Sequence, residues 1–347
     1  MNSLDERFDE RLPLTHNLLR TVRLLGEYRG KEELYRQQMP QALETLKQVA
    51  VIQSTESSSR IEGVTAPAGR IRDLVAEKTT PRDRPEQEIA GYRDVLNTIH
   101  GNHHNMALAP GLVRQLHRDL FKFTASGGGN WKAAPNSITE RRADGTEFVR
   151  FEPVAPYLVP GAMDDLHIAF ERRWRDDQID KLLLVPTYVL DFLCIHPFAD
   201  GNGRMARLLT LLLLYQAGFE VGRFISLEKI VEDSKDSYYD SLHESSQGWH
   251  QGTHVLTPWT EYLLGTLVVA YREFEGRVGL LTAARGAKTE MVLQAIEHLY
   301  GDFSVAQVQD LSPTVGIDLI RRILREQKNL GKLECLGRGP LARWRRI

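Results

Sequence analysis

Residues 195–207 read IHPFADGNGRMAR and join two strongly apolar runs of the sequence. The run from Val185 to Ile195 is apolar on nearly every helical face, which predicts a buried helix. The run from Gly203 to Ala217 predicts a second helix, which ends at Gly218. A short connection between two such helices is held on a rigid scaffold, where functional side chains tend to lie. Residues 195–207 are therefore the first candidate for a functional site.

The turn Gly201-Asn202-Gly203 at the start of the second helix favours the binding of an anion. Glycines let a ligand approach the backbone closely, and successive N–H groups in such a turn form an anion-binding nest. The N-terminus of the helix adds a partial positive charge. Arg204 and Arg207 lie three residues apart and so share a helix face, from which both guanidinium groups can bind phosphate oxygens. The turn and the two arginines predict a polyphosphate site.

Two further side chains of this connection can supply chemistry. Asp200 is an oxygen ligand suited to a Mg²⁺ ion that bridges phosphates. His196 ends the first helix and can accept a proton near pH 7. A histidine at a helix end, a Gly-Asn-Gly turn or two spaced arginines is usually structural when it occurs alone. Their combination within residues 196–207 favours a nucleotide site with a metal and a base.

The rest of the chain is predicted to be mainly helical, with one early hairpin. Helical periodicity predicts helices at Gln41 to Gly63, Glu86 to Ile99, Pro110 to Phe121 and Trp259 to Arg277. The segments Ser137 to Arg142 and Glu147 to Glu152 flank Ala143-Asp144-Gly145-Thr146. An Asp-Gly pair between two short strands is a strong hairpin signal.

The C-terminal region predicts a separate small domain after a boundary near Leu281 to Lys288. Helices at Glu290 to Tyr300, Val305 to Leu311 and Gly316 to Gln327 precede two short strands, near Lys332 to Leu336 and Leu341 to Arg346. This order is that of a winged helix. The sequence after residue 320 contains nine basic residues and two acidic ones. Three of the basic residues lie on the presumed recognition helix: Arg321, Arg322 and Arg325. The pattern fits contact with the phosphate backbone of DNA. Docking to a protein or to a second copy of the chain, as a homodimer, stays open.

Composition and charge exclude several classes of protein. The chain of 347 residues has a formal net charge of −2, so only a local basic patch could bind nucleic acid. Its longest apolar run, Leu208 to Tyr215, is too short to span a bilayer. The N-terminus has no apolar signal region, and the two cysteines form no paired motif. We expect a cytoplasmic protein with no membrane contact.

The stretch from His196 to Arg207 resembles the signature of the Fic family, His-x-Phe-x-(Asp or Glu)-Gly-Asn-Gly-Arg-x-x-Arg, at every fixed position. The resemblance extends over roughly Leu14 to Val278. It implies a mainly α fold, with a Fic helical-bundle core, a β-hairpin flap and the small C-terminal winged-helix domain. The expected divisions are an N-terminal helical region at 1–85, a catalytic core at 86–280 and the winged helix at 287–347.

The resemblance implies a protein adenylyltransferase that moves AMP from ATP to a Ser, Thr or Tyr hydroxyl and releases pyrophosphate. His196 would deprotonate the hydroxyl, and Asp200 would hold Mg²⁺. Gly201, Asn202 and Gly203 would cradle the α- and β-phosphates, with the Asn202 side chain taking part. Arg204 and Arg207 would bind the outer phosphates. The flap, Ser137 to Glu152, would bind the target backbone as an added strand.

A second motif implies autoinhibition. Ser58, Glu62 and Gly63 resemble the Fic inhibitory motif, (Ser/Thr)-x-x-x-Glu-(Gly/Asn), at the end of a predicted inhibitory helix at about 41–63. By composition alone the same segment is a polar helix end capped by glycine. In the inhibitory reading, Glu62 pairs with Arg207 and blocks the productive pose of ATP. Glu62→Gly would then raise automodification of the chain, and His196→Ala would abolish it. Whether the chain also removes AMP from a modified protein stays open.

Several features leave alternatives open. Similar proteins carry Gly-x-x-Arg before the flap, where this chain has Gly129-Asn130-Trp131-Lys132. Lysine lacks the planar guanidinium with which arginine binds two oxygens at once, so a role for Lys132 in the site stays open. His100, His103 and His104 resemble metal ligands by type, but a solvated loop is expected because no Glu accompanies them on a helix. The core could instead serve a transcriptional regulator as a nucleotide sensor, or use a different nucleotide donor. The target protein remains unidentified by sequence.

Overall fold

A computed structural model describes residues 3–141, 147–283, 287–299, 301–312, 315–337 and 342–346. The chain is 68% helical, which confirms the predicted mainly α fold. It divides into two compact units. Unit 1 comprises Met1–Gly26 and Lys47–Tyr271, and unit 2 comprises Glu27–Leu46 and Arg272–Ile347. Within the described residues, no helix is long and apolar enough to cross a membrane.

The helices have the following bounds: α1 (Phe8–Arg11), α2 (His16–Gln38), α3 (Pro40–Ile61), α4 (Ala68–Val75), α5 (Arg84–Asn102), α6 (Pro110–Leu120), α7 (Val159–Asp176), α8 (Lys181–Ile195), α9 (Asn202–Gln216), α10 (Leu227–Asp233), α11 (Lys235–Ser246), α12 (Thr257–Ala283), α13 (Ala287–His298), α14 (Val305–Leu311) and α15 (Ile317–Asn329). Each helix predicted from periodicity is present, with its ends shifted by a few residues.

The central pair of helices, α8 and α9, is buried along nearly its whole length. Asp180 caps α8 by accepting a hydrogen bond from the Leu182 N–H at 2.9 Å, which satisfies one of the unpaired donors of the first turn. Helix α9 begins directly after Gly201, whose φ of +80° is readily adopted only by glycine. The two apolar helices thus hold the 196–201 connection between them, as the sequence predicted.

The early hairpin is present where the Asp-Gly signal placed it. Strands β1 (Ile138–Arg141) and β2 (Glu147–Phe151) are antiparallel, with Ile138 opposite Phe151. The turn itself, 142–146, lies outside the described residues. Within the part of the chain that the structure describes, β1 pairs with β2 alone, so its other edge offers unpaired backbone groups.

Unit 2 contains the predicted order of three helices and a hairpin. Strands β4 (Leu333–Leu336) and β5 (Arg343–Arg346) are antiparallel, and a short strand that the sequence did not indicate, β3 (Phe303–Ser304), pairs with the far edge of β5. Residues 313–314 and 338–341, parts of the predicted connections, lie outside the described residues. The assignment as a winged helix stays a prediction.

The division of the chain differs from the expected one. The sequence placed residues 27–46 with the N-terminal region, whereas the structure groups them with 272–347 in unit 2. Tyr35 packs edge-on against Phe274 at 6.0 Å, and Lys31 forms an ion pair with Glu275 at 2.6 Å. These contacts join segments more than 200 residues apart, which periodicity within either segment could not indicate.

Candidate active site

His196 ends helix α8 in a left-handed backbone conformation. Its φ of +51° is uncommon for a residue other than glycine, and such outliers concentrate at functional sites. The backbone N–H of His196 donates to the Phe192 carbonyl at 2.9 Å. The ring Nδ1 lies 3.3 Å from the Leu193 carbonyl oxygen. Because a carbonyl only accepts, Nδ1 carries the proton and Nε2 keeps its lone pair.

The surroundings of His196 keep its ring neutral. Burial lowers the pKa of His196 to about 4, and the Lys132 ammonium acts in the same direction. The hydrogen bond to the Leu193 carbonyl and the nearby carboxylates of Glu62 and Asp200 oppose this shift without cancelling it. At pH 7 the imidazole is therefore uncharged and its Nε2 is able to accept a proton.

His196 lines a cavity of about 850 Å³, within the size range of small-molecule sites. Gly203 and Arg207 of α9 form another part of its wall, so the predicted base and the start of the predicted anion site face one space. Tyr238 and Tyr239 also line this cavity.

The Asn202 side chain shapes the turn. Its Oδ1 accepts a hydrogen bond from the Phe198 N–H at 2.9 Å, and its Nδ2 donates to the Phe198 carbonyl at 2.8 Å. The residue is 2% exposed. The expected contact between this side chain and phosphate is therefore replaced by bonds within the loop. The backbone N–H groups at the start of α9 have no intrahelical acceptor and remain suited to an anion.

Arg207 is held in a buried site by the end of α3. Its Nε donates to Ser58 Oγ at 2.9 Å, and its Nη2 donates to the Ser58 carbonyl at 2.9 Å and to Glu62 Oε1 at 2.8 Å. Burial disfavours the charge of Arg207, but the Glu62 carboxylate outweighs this and raises the pKa of Arg207. The predicted Glu62–Arg207 pair is thus present.

The Glu62 carboxylate also lies against the first turn of α9. A side-chain Cβ at Gly203 would collide with Glu62 Oε1, so only glycine leaves room for this approach. Glu62 therefore presents its negative charge where both the helix dipole and Arg207 attract an anion.

Arg204 has different partners from Arg207. Its Nη1 donates to Glu88 Oε2 at 2.6 Å, its guanidinium lies over the Phe121 ring at 5.1 Å, and its side chain is 2% exposed. The sequence predicted that both arginines would face the outer phosphates from one helix face. The structure separates the two guanidinium groups, because Glu88 of α5 holds Arg204 in a buried ion pair. This ion pair joins the start of α9 to α5.

Asp200 lies at the exposed part of the connection, next to the exposed Ala199. Its Oδ1 accepts a hydrogen bond from the Gly201 N–H at 2.6 Å, and its Oδ2 lies 3.4 Å from Arg84 Nη2. The side chain is 56% exposed. A single accessible carboxylate fits Mg²⁺, which keeps several waters and takes its other ligands from substrate phosphates.

The sequence around this site matches one known family. Residues 107–214 match the model of the Fic/DOC family. The chain carries a Fic/DOC family domain. A Fic family protein from Desulfovibrio desulfuricans G20 superimposes with a TM-score of 0.64 at 21% identity, over 96% of this chain and 97% of that chain. The overall fold is therefore a Fic fold.

Two relatives of this Fic domain are named as adenylyltransferases. A probable protein adenylyltransferase of Aquifex aeolicus is 28% identical over 119 residues, which cover 34% of each chain. The protein adenylyltransferase Fic-1 of Caenorhabditis elegans is 31% identical over 103 residues, 28% of this chain and 18% of that protein. The chain thus spans about a third or less of the length of these relatives.

His117 on α6 contacts the 196–201 connection and holds it in place. Its Nε2 lies 3.0 Å from the Asp200 carbonyl oxygen, and its Nδ1 accepts the Gly129 N–H at 2.8 Å. Its ring stacks on Phe198 at a centroid distance of 3.6 Å. Burial lowers the pKa of His117 to about 4, so it stays neutral and donates from Nε2.

Lys132 holds the chain on both sides of His196. Its backbone N–H donates to the Pro197 carbonyl at 2.8 Å, and its Nζ lies 3.4 Å from the Ile195 carbonyl oxygen. Nζ also donates to Asn136 Oδ1 at 2.7 Å. Burial lowers the pKa of Lys132 to about 8. The residue is 4% exposed, so it supports the loop from behind rather than facing the cavity.

The end of the predicted inhibitory helix is fixed by a glycine cap. The Val64 N–H donates to the Ser59 carbonyl and the Gly63 N–H to the Arg60 carbonyl, each at 3.0 Å. Gly63 has a φ of +77°. This is the Schellman arrangement, which ends α3 at Ile61 and places Glu62 directly after its last residue. Both the structural and the inhibitory interpretation of Gly63 are consistent with this geometry.

The hairpin of the Fic domain forms one side of the cavity. Its lining side chains come from both strands: Ile138, Thr139, Arg150 and Phe151. Strand β2 is anchored, since Arg150 Nη2 donates to the Tyr239 carbonyl at 2.6 Å and the Phe151 ring stacks on His250 at 5.4 Å. The open edge of β1 therefore lies beside the predicted nucleotide site.

The arginines of the presumed recognition helix are exposed on α15. Acidic neighbours accompany two of them, since Arg321 lies 3.6 Å from Asp318 and Arg322 lies 3.7 Å from Glu326. Arg325 donates to the Arg321 carbonyl at 3.1 Å. Contact between these arginines and DNA stays a prediction.

The neutral state of His196 predicts the pH dependence of any reaction in which it is the base. A lowered pKa means that the proton-accepting form persists as the pH falls, until the pH approaches about 4. We expect kcat/KM to be nearly constant from about pH 8 to about pH 5.5. Initial rates in a buffer series check this. A rate that falls to half its maximum near pH 6.5, the ordinary pKa of histidine, would contradict this expectation.

Proposed function

We propose that the chain is a protein adenylyltransferase that transfers AMP from ATP to a hydroxyl side chain of a protein. One observation carries the proposal: the acceptor Nε2 of a neutral His196 and the guanidinium of Arg207 belong to the same cavity, at the start of α9. The names of the Aquifex and Caenorhabditis relatives support it.

In the proposed reaction, His196 Nε2 takes the proton of the target hydroxyl. The hydroxyl oxygen forms a bond to the α-phosphorus of ATP, and the bond from that phosphorus to the bridging oxygen of the β-phosphate breaks. Pyrophosphate leaves with the electron pair, and AMP remains on the protein. The contribution of the enzyme is positioning and charge stabilisation, as in other phosphoryl-type transfers.

The phosphates are proposed to lie along the first turn of α9. The backbone N–H groups near Gly203 donate to phosphate oxygens, and Arg207 binds the outermost phosphate through its planar guanidinium. Arg204, being paired with Glu88, keeps this turn in place. Asp200 is the residue suited to hold Mg²⁺, which when bound neutralises charge on the phosphates.

The target protein is proposed to bind the open edge of β1 as an added strand. Main-chain hydrogen bonds to an edge strand recognise an extended segment without reading its sequence. Such binding would bring a loop or terminus of the target beside the cavity, where its hydroxyl can reach His196. Because the edge is not sequence-selective, the chain itself is an expected target.

Glu62 is proposed to inhibit this reaction in the ground state of the enzyme. Its carboxylate occupies the anion-attracting position between Gly203 and Arg207, which the outermost phosphate needs. Helix α3 is kept in place by contacts such as Ser57 Oγ to Glu232 Oε2 at 2.7 Å and Lys235 Nζ to the Ile61 carbonyl at 3.1 Å. Loss of those contacts, or of the carboxylate, would admit ATP.

The test of the function is a comparison of two labels on ATP. In the presence of Mg²⁺, a variant in which Glu62 is substituted should give covalent label on protein from α-phosphate-labelled ATP. We expect no label from γ-phosphate-labelled ATP. Label from the γ-phosphate would indicate a kinase. No label from either, with ATP still bound, would favour the alternative in which the Fic core only senses a nucleotide.

A further inference from the structure

The short turn after α5 contains a buried histidine with an unpaired ring nitrogen. His103 is 1% exposed, and its Nδ1 lies 3.2 Å from the Ile99 carbonyl oxygen, which only accepts. The proton is therefore on Nδ1, and the lone pair is on Nε2. Within the described residues, His103 Nε2 has no hydrogen-bond partner. A buried nitrogen without a partner is costly and calls for a physical explanation.

A carboxylate from a distant part of the chain faces this nitrogen. Glu220, just beyond α9, places Oε1 3.9 Å from His103 Nε2. Its other oxygen, Oε2, accepts a hydrogen bond from Arg223 Nη1 at 2.5 Å. Arg223 thus orients the carboxylate, as outer partners of metal-binding carboxylates do.

His104 completes the group from the solvent side. One potential ligand atom from each of His103, His104 and Glu220 lies within 4.8 Å of the other two. His104 is exposed whereas the other two residues are buried, so the cluster reaches from the interior to the surface. The sequence interpretation of these histidines as a solvated loop is wrong for His100 and His103, which are 4% and 1% exposed. Glu220, which the sequence could not place beside them, lies more than 100 residues away and is brought there by the fold.

The backbone of the turn is held in advance of any ligand. Gln216 Nε2, at the end of α9, donates to the His103 carbonyl at 2.9 Å and to the Met106 carbonyl at 2.6 Å. These bonds and the Ile99 contact fix both the main chain and the ring of His103. The ligand atoms are therefore preorganised, which reduces the entropy lost when a metal binds.

We propose that His103, His104 and Glu220 form a binding site for a zinc-type divalent transition metal ion. Imidazole nitrogen selects Zn²⁺ over Mg²⁺ and Ca²⁺, which prefer oxygen. In a tetrahedral zinc site with bonds of about 2.0–2.1 Å, ligand atoms are about 3.3 Å apart. The 3.9 Å between His103 Nε2 and Glu220 Oε1 requires only a small adjustment. The exposed side leaves the fourth position to water.

The site is separate from the catalytic centre and has a structural role. It lies beyond the C-terminal end of α9, whereas His196 and Gly203 lie at its N-terminal end. A helix of 15 residues is about 22 Å long. A bound ion would join the turn after α5 to the segment after α9. The positive charge of Arg223 limits the affinity, so we expect a dissociation constant in the micromolar range.

The first test is calorimetric titration of the full, untagged and chelator-treated chain with ZnCl₂. We expect one ion per chain and an increase in Tm on the order of 5 °C when zinc is near-saturating. His103→Ala and Glu220→Gln should each weaken binding by at least about tenfold. The matched control is His16→Ala, since His16 is an exposed histidine at the start of α2. It should bind zinc as the unaltered chain does.

A second test needs no substitution and so does not depend on the folding of a variant. Co²⁺ added to the chain should give the strong visible absorption of a low-coordinate nitrogen-oxygen site, and Zn²⁺ should displace it. Absence of that absorption, or zinc binding that survives both His103→Ala and Glu220→Gln, would overturn the proposal.

Discussion

Replacing His196 with alanine is expected to lower the rate of AMP transfer by about 10²–10⁴, the usual contribution of a general base. His196 lines the cavity, and its Nδ1 lies against the Leu193 carbonyl, so Nε2 is the ring atom left as an acceptor; burial keeps it unprotonated at neutral pH. The measurement is single-turnover transfer from α-phosphate-labelled ATP in a background where Glu62 is substituted. The affinity for Mg·ATP should stay within about threefold, because the proposed phosphate contacts come from α9.

The control for this change is His117→Ala, which removes a neutral histidine that only supports the loop. It should impair nucleotide affinity together with turnover, because the loop that it fixes binds the phosphates. A His196→Ala variant that retained transfer within about threefold, or that lost ATP binding and turnover equally, would contradict the assignment of His196 as the base.

Replacing Glu62 with alanine is expected to raise both the affinity for ATP and the transfer rate by about tenfold or more. The carboxylate accepts a charged hydrogen bond from Arg207, and such bonds contribute about 1.5–3 kcal/mol. That range corresponds to roughly tenfold to hundredfold in an equilibrium. Because the Glu62 side chain is 32% exposed, the lower end applies. Alanine removes the charge without loosening the end of α3 as glycine would.

Glu56→Ala is the matched control for the release of inhibition. Glu56 lies on the same helix and pairs with Arg60 at the surface, away from Arg207. It should leave the transfer rate and the ATP affinity unchanged within about twofold. Equal activation by both substitutions would indicate general loosening of α3. No activation by Glu62→Ala would show that its carboxylate does not compete with the nucleotide.

The fold was largely predictable where local signals were strong. The apolar runs on either side of residues 195–207 predicted α8 and α9, and the Asp-Gly pair predicted the β1–β2 hairpin. Helices α1, α2, α4, α7, α10 and α11 were not predicted. Helix α2 in particular is long but mostly polar and has only a weak apolar stripe, so the pattern that identifies an amphipathic helix is faint in it.

The structure brings His196 and Arg207 of the predicted site to one cavity, but not every contact of the site could be predicted. The sequence indicated that His196 and Arg207 belong to one site, because spacing and residue type carry that information. It could not show that Glu88 already pairs with Arg204, since the two lie 116 residues apart. The cluster of His103, His104 and Glu220 could not be predicted from the sequence, because only folding brings Glu220 to the two histidines.

A crystal structure of the Glu62→Ala variant with Mg²⁺ and an ATP analogue whose α–β bridging oxygen is replaced by a methylene group would test whether His196 and Arg207 bind one nucleotide. We expect the analogue to occupy the cavity lined by His196, with its α-phosphorus beside Nε2 and its outermost phosphate on Arg207. An analogue bound elsewhere, or with its phosphates away from the first turn of α9, would contradict this expectation.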